Sequence, residues 1–353
     1  MADWTKSMQQ SFEYYVVDPI TWKDKHKFDK VKKCVIQRDT ELETLGSASI
    51  DVTELVGECY LRAYLVTVQN GVTERHPLGT YLVQTPSSSF TGRVTNATLD
   101  AYTPLIELKE CPPPIGYFVP EGKNIMEVVC ALTKEHLRAP VVIAEKEDIL
   151  YYDFVVESGE TWLKYLSALM ANAKYTFALD ELGRILFAPK QETASLQPVW
   201  TFDDSDNSIL YPEINTDHDL FDIPNVVEVI HSKGSTKHYA RVVNDDPNSP
   251  TSTISRGREI VHRAENPSLV GSDPTKHEID EYAISLLKEL STIEYTVTYS
   301  HGYCPVRIGD CVRLNYTKAG LIDVKAKVIS QTITCTPGVQ VQEKAIFTKN
   351  LWG

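Results

Sequence analysis

The stretch from Glu157 to Lys190, ESGETWLKYLSALMANAKYTFALDELGRILFAPK, is the best-specified part of the chain. Its first half predicts an amphipathic helix with Ser158 as the N-cap and with Glu160 placed favourably for the helix dipole. Apolar side chains follow at helical spacing: Trp162, Leu163, Leu166, Leu169, Met170 and Ala173. The second half alternates with a period of two and predicts a β-hairpin that turns at Asp180 to Gly183. A helix followed by a hairpin must bury its apolar face against the rest of the chain, so its aromatic residues are interpreted as core.

Composition sets limits on the class of protein. The chain has 353 residues, enough for two or three hydrophobic cores. We predict no signal peptide and no membrane-spanning segment, because no apolar run reaches roughly 18 residues. Seven dispersed cysteines without a CxxC pair indicate reduced thiols. The formal charge of -13 argues against nucleic-acid binding through a general basic surface, but it allows a surface along which nucleic acid passes.

The N-terminal part of the chain reads as short, evenly punctuated strands, which predict a first β-barrel domain over residues 1–110. Phe12 to Val17 gives its first strand. The lysine-rich segment Lys23 to Lys33 is interpreted as a solvated loop, with nucleic-acid contact as the weaker alternative.

A linker and a mixed domain follow. Three prolines in Cys111 to Gly116 stop any strand and predict the linker. Asn124 and Glu127 form a capping pair for the next helix. Together with the helix and hairpin described first, this segment predicts a small α+β insert domain over residues 117–190.

A second β-barrel domain is predicted over residues 199–353, where valine-rich strands return and alternate clearly. The polar excursion at residues 244–274 is too long for a simple connection and predicts a functional or interface loop, with a mobile solvated loop as the alternative. Because it carries Arg256, Arg258 and Arg263, whose guanidinium groups suit ion pairs, we expect contacts between chains to order it.

A capping box of Thr275 and Glu278 predicts a helix over residues 275–290, beside the second barrel. The predicted fold class is therefore α+β and mainly β. It consists of two small β-barrel domains with an intervening α+β insert domain.

Catalytic chemistry finds no support in the sequence. We predict no catalytic, cofactor-binding or metal-binding residues, no cofactor and no enzymatic activity. His277 to Glu281 begins like the HExxH zinc motif, but Glu281 stands where the second histidine is required. Asp203 to Asn207 resembles the start of a calcium loop, but Ile209 and Asn215 occupy the positions of its glycine and its last glutamate. A turn explains this acidic run better.

Three segments together resemble the baseplate hub, or tail-tip hub, proteins of tailed bacteriophages and related contractile injection systems. They are SGETWLKYLSALMANAKYTFALDELGRILFAPK, NVVEVIHSKGSTKHYARVVNDDPNSPTSTISRG, and AISLLKELSTIEYTVTY running on to IGDCVRLNY. These are fold patterns rather than catalytic signatures. The order barrel, insert, barrel extends the resemblance over nearly the whole chain.

The resemblance implies a structural protein of the virion, a homotrimer whose paired barrels form a near-sixfold ring in the tail baseplate. Such a ring joins the sixfold tail tube, or a distal tail protein, to a threefold central spike or fibre. DNA passes through it without specific binding. We expect assembly in the host cytoplasm, with any lysin or spike as a separate protein. Three chains at -13 give -39, and an acidic lumen repels phosphates, which lets DNA slide.

Two other classes of protein remain open at this point. The 18 tyrosines and the long polar loop also suit a tail adhesin module that binds host carbohydrate. A polysaccharide hydrolase is the second alternative, for which two carboxylates must face each other in a deep cleft. Glycan binding distinguishes the first class from a hub, and the depth of the cleft distinguishes the second.

Overall fold

The computed structural model describes residues 2–90, 92, 95–191, 193–232, 237–267 and 274–352. The chain divides into two compact units. The first combines Met1–Ile214 with Thr298–Ala345, and the second combines Asn215–Val297 with Ile346–Gly353. The chain therefore enters and leaves the second unit within strands rather than within one flexible linker.

Strands make up most of the regular structure. In chain order they are β1 (Gln9–Val17), β2 (Asp24–Lys27), β3 (Val31–Asp39), β4 (Gly46–Val52), β5 (Cys59–Gln69), β6 (Val72–Phe90), β7 (Thr95–Tyr102), β8 (Phe118–Val119), β9 (Phe154–Val155), β10 (Tyr175–Leu179), β11 (Ile185–Pro189), β12 (Pro198–Asp203), β13 (Leu210–His218), β14 (Val226–His231), β15 (His238–Val243), β16 (Val261–Glu265), β17 (Thr292–Gly302), β18 (Cys311–Tyr316), β19 (Leu321–Thr334) and β20 (Gln340–Asn350). The α-helices are α1 (Ile106–Glu110), α2 (Ile125–His136), α3 (Trp162–Ala171), α4 (Thr253–Arg256) and α5 (Lys276–Leu290).

The largest sheet joins strands from both ends of the chain. Its order is β13-β17-β20-β19-β3-β4-β7-β6-β5-β1-β2, and β18 pairs with both β12 and β19. Across the described residues this sheet has two ends, at β13 and β2, so closed barrels are not observed there. The prediction of a mainly β chain with a few helices is confirmed. The two-barrel architecture and its domain boundaries stay a prediction.

Alternation of side chains places the core of the first unit on one face of this sheet. Cys34 of β3 lies opposite Ile50 of β4, Ile36 lies opposite Ala48, and all four are buried. Ile333 of β19 lies opposite Ile36 from the other side and belongs to the same cluster. Burial of each aliphatic side chain of this size contributes about 1.5–3 kcal/mol. The C-terminal strands thus share a core with strands that lie nearly 300 residues earlier.

The helices α1, α2 and α3 bury a second apolar cluster in the first unit. Asn124 caps α2 by accepting a hydrogen bond from the Glu127 amide at 3.0 Å, as the sequence predicts. The prediction that Ser158 caps α3 is wrong, because Thr161 is the N-cap. The Glu160 carboxylate is buried and accepts from the Glu157 amide at 2.9 Å, which keeps this segment in a turn before the helix begins.

The hairpin of β10 and β11 forms as predicted. Phe177 lies opposite Phe187, with ring centroids 5.7 Å apart. The Asp180 carboxylate accepts from the amides of Leu182 and Arg184 at 3.0 and 2.8 Å, which fixes the turn. Hydrogen bonds within the hairpin itself therefore fix the shape of the turn.

The turn docks on the N-terminal strands through a single carbonyl. The Leu182 oxygen accepts hydrogen bonds from Trp22 Nε1 at 2.8 Å, Thr80 Oγ1 at 2.9 Å and Arg62 Nη2 at 3.1 Å. The next residue, Gly183, has φ +74° and lies against Thr80. A Cβ atom added to Gly183 would sit 2.7 Å from the Thr80 Cβ, so the close approach of the turn needs glycine here. Only glycine fits this position without displacing the sheet.

The second unit packs α5 on a three-stranded sheet of order β15-β14-β16. The capping box of Thr275 and Glu278 is present, which confirms the predicted start of the helix. Ile279, Ala283 and Leu287 of α5 are buried in one cluster together with side chains of β14 and β15.

The polar segment between β15 and α5 contains α4 and β16 rather than one long loop. The expectation that contacts between chains order it stays a prediction, although two of its arginines have partners within the same chain. Arg256 donates to the Ile223 carbonyl at 2.9 Å, and Arg263 pairs with Glu228 of the adjacent strand at 2.7 Å. Arg256 and Arg263 thus find partners in their own chain, which the sequence alone could not pair. Residues 268–273 of the predicted loop lie outside the described residues.

The glycine at the docking turn gives a test of this packing. We expect Gly183→Ala to lower the free energy of unfolding by about 2–4 kcal/mol, because strain at positive φ adds to overpacking against Thr80. Gly320→Ala is the matched control, since Gly320 has φ +73° with nothing within 4 Å of its Cβ position, and its cost is about 1 kcal/mol. Urea unfolding of both variants measures the difference. Equal losses would show that the close contact is unimportant.

Candidate functional site

A buried polar network occupies the centre of the C-terminal strands of the first unit. Tyr299 and His301 stand on β17, Gln331 on β19 and Glu343 on β20, and these three strands are neighbours in the sheet. The Glu343 carboxylate accepts from the Tyr299 hydroxyl at 2.7 Å and from Gln331 Nε2 at 2.5 Å. All four side chains are buried, so the network is closed to solvent.

The network continues to the N-terminal strands. Arg38 of β3 donates to Gln331 Oε1 at 3.1 Å and to the Leu78 carbonyl at 2.6 Å. Gln331 Nε2 also donates to the Val306 carbonyl at 2.9 Å. A chain of hydrogen bonds therefore crosses the sheet from Glu343 to the strands near the N-terminus, and such networks specify one arrangement of a core.

Neighbouring side chains stabilise the charged form of the Glu343 carboxylate. Burial acts to raise the pKa of Glu343, but His301, Tyr299 and Gln331 together outweigh it and lower that pKa from its ordinary value of 4.5. His301 Nε2 lies 3.2 Å from Glu343 Oε1, so the imidazole ring is directly beside the carboxylate. Burial, together with the Glu343 charge, raises the pKa of the Tyr299 hydroxyl, which stays a donor.

One part of the network resembles a catalytic triad in its arrangement. Cys304 would be the nucleophile, His301 the base and Glu343 the carboxylate that orients the base. Cys304 Sγ lies 3.8 Å from His301 Nδ1, and Glu343 lies at the other ring nitrogen. Burial raises the pKa of the Cys304 thiol well above its usual range, so the reactive thiolate is disfavoured. Cys304 is also only 2% exposed, so a substrate has no path to its sulfur. The arrangement serves packing and not nucleophilic chemistry.

An open depression of about 560 Å³ lies in the second unit. Its lining residues are Asp217, His218, Asp219, Ile293, Glu294 and Thr296. The His218 ring stacks on Tyr295 at 4.6 Å, and Tyr295 stacks on Phe347 at 5.1 Å, which orders one side of the depression. The carboxylates face a shallow, solvated surface, so the condition of a deep cleft that a polysaccharide hydrolase requires is not met here.

The two sequence motifs considered for metals have local structural roles. Glu278 accepts from the Thr275 amide at 2.7 Å in the capping box, while His277 faces Glu281 at 3.3 Å on the exposed side of α5. Asp204 accepts from the Thr317 hydroxyl at 2.6 Å and so joins its turn to the loop after β18. Within the part of the chain that the structure describes, no group of three or more His, Cys, Asp or Glu side chains is placed to hold a metal ion.

An apolar surface that sequence reasoning missed lies on the short ribbon of β8 and β9. Val119 and Phe154 face the core, where the Tyr165 hydroxyl donates to the Phe154 carbonyl at 2.6 Å. Their neighbours Phe118 and Val155 lie directly opposite each other and are exposed by 49% and 58%. The ribbon is therefore apolar on both faces, and one of them is uncovered in the isolated chain.

The residues just before β9 extend this surface. Ile149, Tyr151 and Tyr152 are 54%, 81% and 76% exposed. The Gly122 amide donates to the Leu150 carbonyl at 2.8 Å, and the Leu150 amide donates to the Lys123 carbonyl at 2.9 Å, so this segment is held beside the ribbon. The sequence signal for this exposed surface is the run of neighbouring apolar residues from Ile149 to Val156. Successive side chains of a strand point to opposite faces, so one buried face cannot cover all of them.

Comparison with solved structures places this architecture among phage tail proteins. A tail protein from Neisseria meningitidis MC58 matches 97% of this chain and 98% of its own, with a TM-score of 0.58 and 15% identity. The 43 kDa tail protein of prophage MuSo2 from Shewanella oneidensis matches 95% of this chain and 98% of its own, with a TM-score of 0.60 and 11% identity. The chain thus has the fold of phage tail proteins, and the resemblance inferred from the sequence is confirmed as a shared fold.

Sequence comparison adds no closer relation. No family model matches the sequence, and no curated protein matches it significantly. Sequence identities of 11–15% support a shared fold, but they do not assign roles to individual residues of this chain. In the described residues, no helix is long and apolar enough to cross a membrane.

The buried carboxylate gives a test of the polar network. We expect Glu343→Gln to lower the free energy of unfolding at pH 7 by about 3 kcal/mol, because the buried hydrogen bonds that Tyr299 and Gln331 donate to a charged acceptor are weakened. The lowered pKa means that Glu343 stabilises the fold above pH 4.5 and loses this effect as pH falls through the folded-state value. The variant should therefore lose less stability than the wild type on acidification below pH 4.5.

Glu278→Gln is the control for this measurement. Glu278 also has a pKa lowered from 4.5, by hydrogen bonds from Thr275, but it is fully exposed to solvent. Chemical denaturation from pH 7 to pH 3 compares the two variants. An acid dependence of Glu343→Gln identical to that of the wild type would contradict the role assigned to the buried carboxylate.

Proposed function

We propose that this protein is a structural hub of a phage tail tip, in which three copies form a ring within the baseplate. The ring joins the tail tube, or a distal tail protein, to a central spike or fibre. The observation that carries this proposal is the fold shared with two tail proteins over 97% and 95% of this chain and 98% of each of theirs. A match of nearly whole chains supports a shared architectural role more strongly than a match of one module does.

The interior of the first unit suits a rigid structural part. The Glu343 network links β3, β17, β19 and β20, and the Leu182 carbonyl links the hairpin to the N-terminal strands. Polar contacts of this kind fix one geometry because each buried group loses its partner when elements slide. A fixed geometry is what a ring between two differently symmetric assemblies requires.

The charge of the chain fits a passage for DNA. Each copy carries -13, so a ring of three has a strongly acidic total that repels phosphates. DNA then moves through the ring without specific binding. We place the protein in the virion tail, assembled in the host cytoplasm and without enzymatic activity of its own.

Stoichiometry tests the ring. We expect the protein, mixed with the tail tube protein of its phage, to give particles that contain three copies at the end of each tube, as measured by native mass spectrometry and imaging. Cyclic closure predicts this number because the two similar barrels per chain that the sequence predicts would give six barrels in a ring of three, which match a sixfold tube. A monomer or a dimer in the assembled tail would refute the ring.

DNA transit gives an independent test of the acidic passage. We expect the assembled ring to retain no duplex DNA at physiological salt, since contacts with phosphates would need a basic lining. A filter-retention assay from 50 to 200 mM salt measures this, with a basic DNA-binding protein as the positive control. Retention that falls steeply with salt would contradict the sliding of DNA.

A further inference from the structure

Two exposed surfaces of the first unit carry opposite charges, and several of these charges form no ion pair with a described residue. The first, here called the acidic ribbon, consists of Phe118, Ile149, Tyr151, Tyr152 and Val155 with the carboxylates around them. The second, here called the lysine strip, runs from Ile20 to Lys33 along β2 and the start of β3. Each combines exposed apolar side chains with an excess of charge of one sign.

The acidic ribbon owes its charge to Glu121, Glu147, Asp153 and Glu157. All four are exposed, and none forms an ion pair with a described residue. Glu121 and Asp153 are fixed next to each other, because the Glu121 amide donates to the Asp153 carboxylate at 3.0 Å. Carboxylates on one short ribbon repel one another unless a cation approaches them.

The lysine strip has six lysines and two aspartates between Lys23 and Lys33. Lys27 and Lys30 pair with acidic residues of the same chain, whereas the exposed Lys23, Lys25 and Lys33 form no ion pair with a described residue. The turn before the strip, closed by the Asp18 amide on the Lys23 carbonyl at 2.9 Å, presents Ile20 at 92% exposure.

We propose that the lysine strip of one copy binds the acidic ribbon of the next copy around the ring. A second copy fits as the occupant because the complement of each surface in charge and apolar character is present on the same chain. The contact is heterologous, since different surfaces meet, and heterologous contacts close into rings when the rotation allows. This inference rests on the proposed ring and assigns the residues that hold it together.

Charge reversal on each side tests the interface. Lys23→Glu, Lys25→Glu and Lys33→Glu together reverse the strip, and Glu121→Lys, Glu147→Lys and Glu157→Lys together reverse the ribbon. None of these side chains has an ion pair to lose among the described residues, so the fold should survive. We expect either reversal to raise the dissociation constant of the trimer more than about tenfold, because like charges then face each other.

The chain with both reversals should form trimers again, because its strip and ribbon are once more complementary. An equimolar mixture of the two single-side reversals should give pairs but not closed rings of three, since matched contacts must alternate. A third triple change, Lys164→Glu, Lys190→Glu and Lys318→Glu, alters the net charge equally outside the strip and should leave trimers intact. Sedimentation velocity measures all five samples beside the wild type.

The outcomes separate this interface from the ring itself. Trimers that persist in both single-side reversals, with the wild type also trimeric, overturn the interface and leave the ring standing. A wild type that is monomeric at every concentration and salt level overturns both. Duplex DNA binding that the strip reversal abolishes, while the trimer is unchanged, assigns the lysine strip to nucleic acid and overturns the proposal.

Discussion

The hydrogen bonds to the Leu182 carbonyl are the constraint on which the first unit depends. Arg62 is 4% exposed, so its guanidinium depends on partners within the chain rather than on water. Asp24, Thr80 and the carbonyls of Trp22 and Leu182 satisfy it at 2.8–3.2 Å. Withdrawal of the hairpin would leave a buried cation with part of its donors unpaired, which costs several kcal/mol. The hairpin and the N-terminal strands therefore order each other.

The Glu343 network repeats this principle elsewhere in the same unit. Its carboxylate is charged in the interior only because Tyr299, Gln331 and His301 surround it. Arg38 extends the network to β3, so strands from the two ends of the chain are joined by polar contacts as well as by apolar ones. Buried polar groups contribute little net stability, but they penalise every alternative register. This specificity holds the strands of the first unit in one arrangement.

Charged groups are paired differently on the surface and in the interior. Inside, every described charge mentioned above has a partner in the chain, whereas several carboxylates of the ribbon and several lysines of the strip do not. The second unit shows the opposite case on its exposed sheet face, where Glu228 lies between Arg241 and Arg263 and all three are satisfied locally. The ribbon and the strip thus combine charges that form no ion pair with a described residue and exposed aromatic or aliphatic side chains.

The sequence by itself determined the elements whose signals are local: the hairpin at Asp180 to Gly183, the caps at Asn124 and Thr275, and the mainly β class. Periodicity and capping act over a few residues, so they can be read without a structure. The partners of Arg62, Glu343 and the arginines near α4 were decided only by tertiary structure. So were the true cap of α3 and the exposed ribbon, because each depends on which distant strands pair and on which faces they then cover.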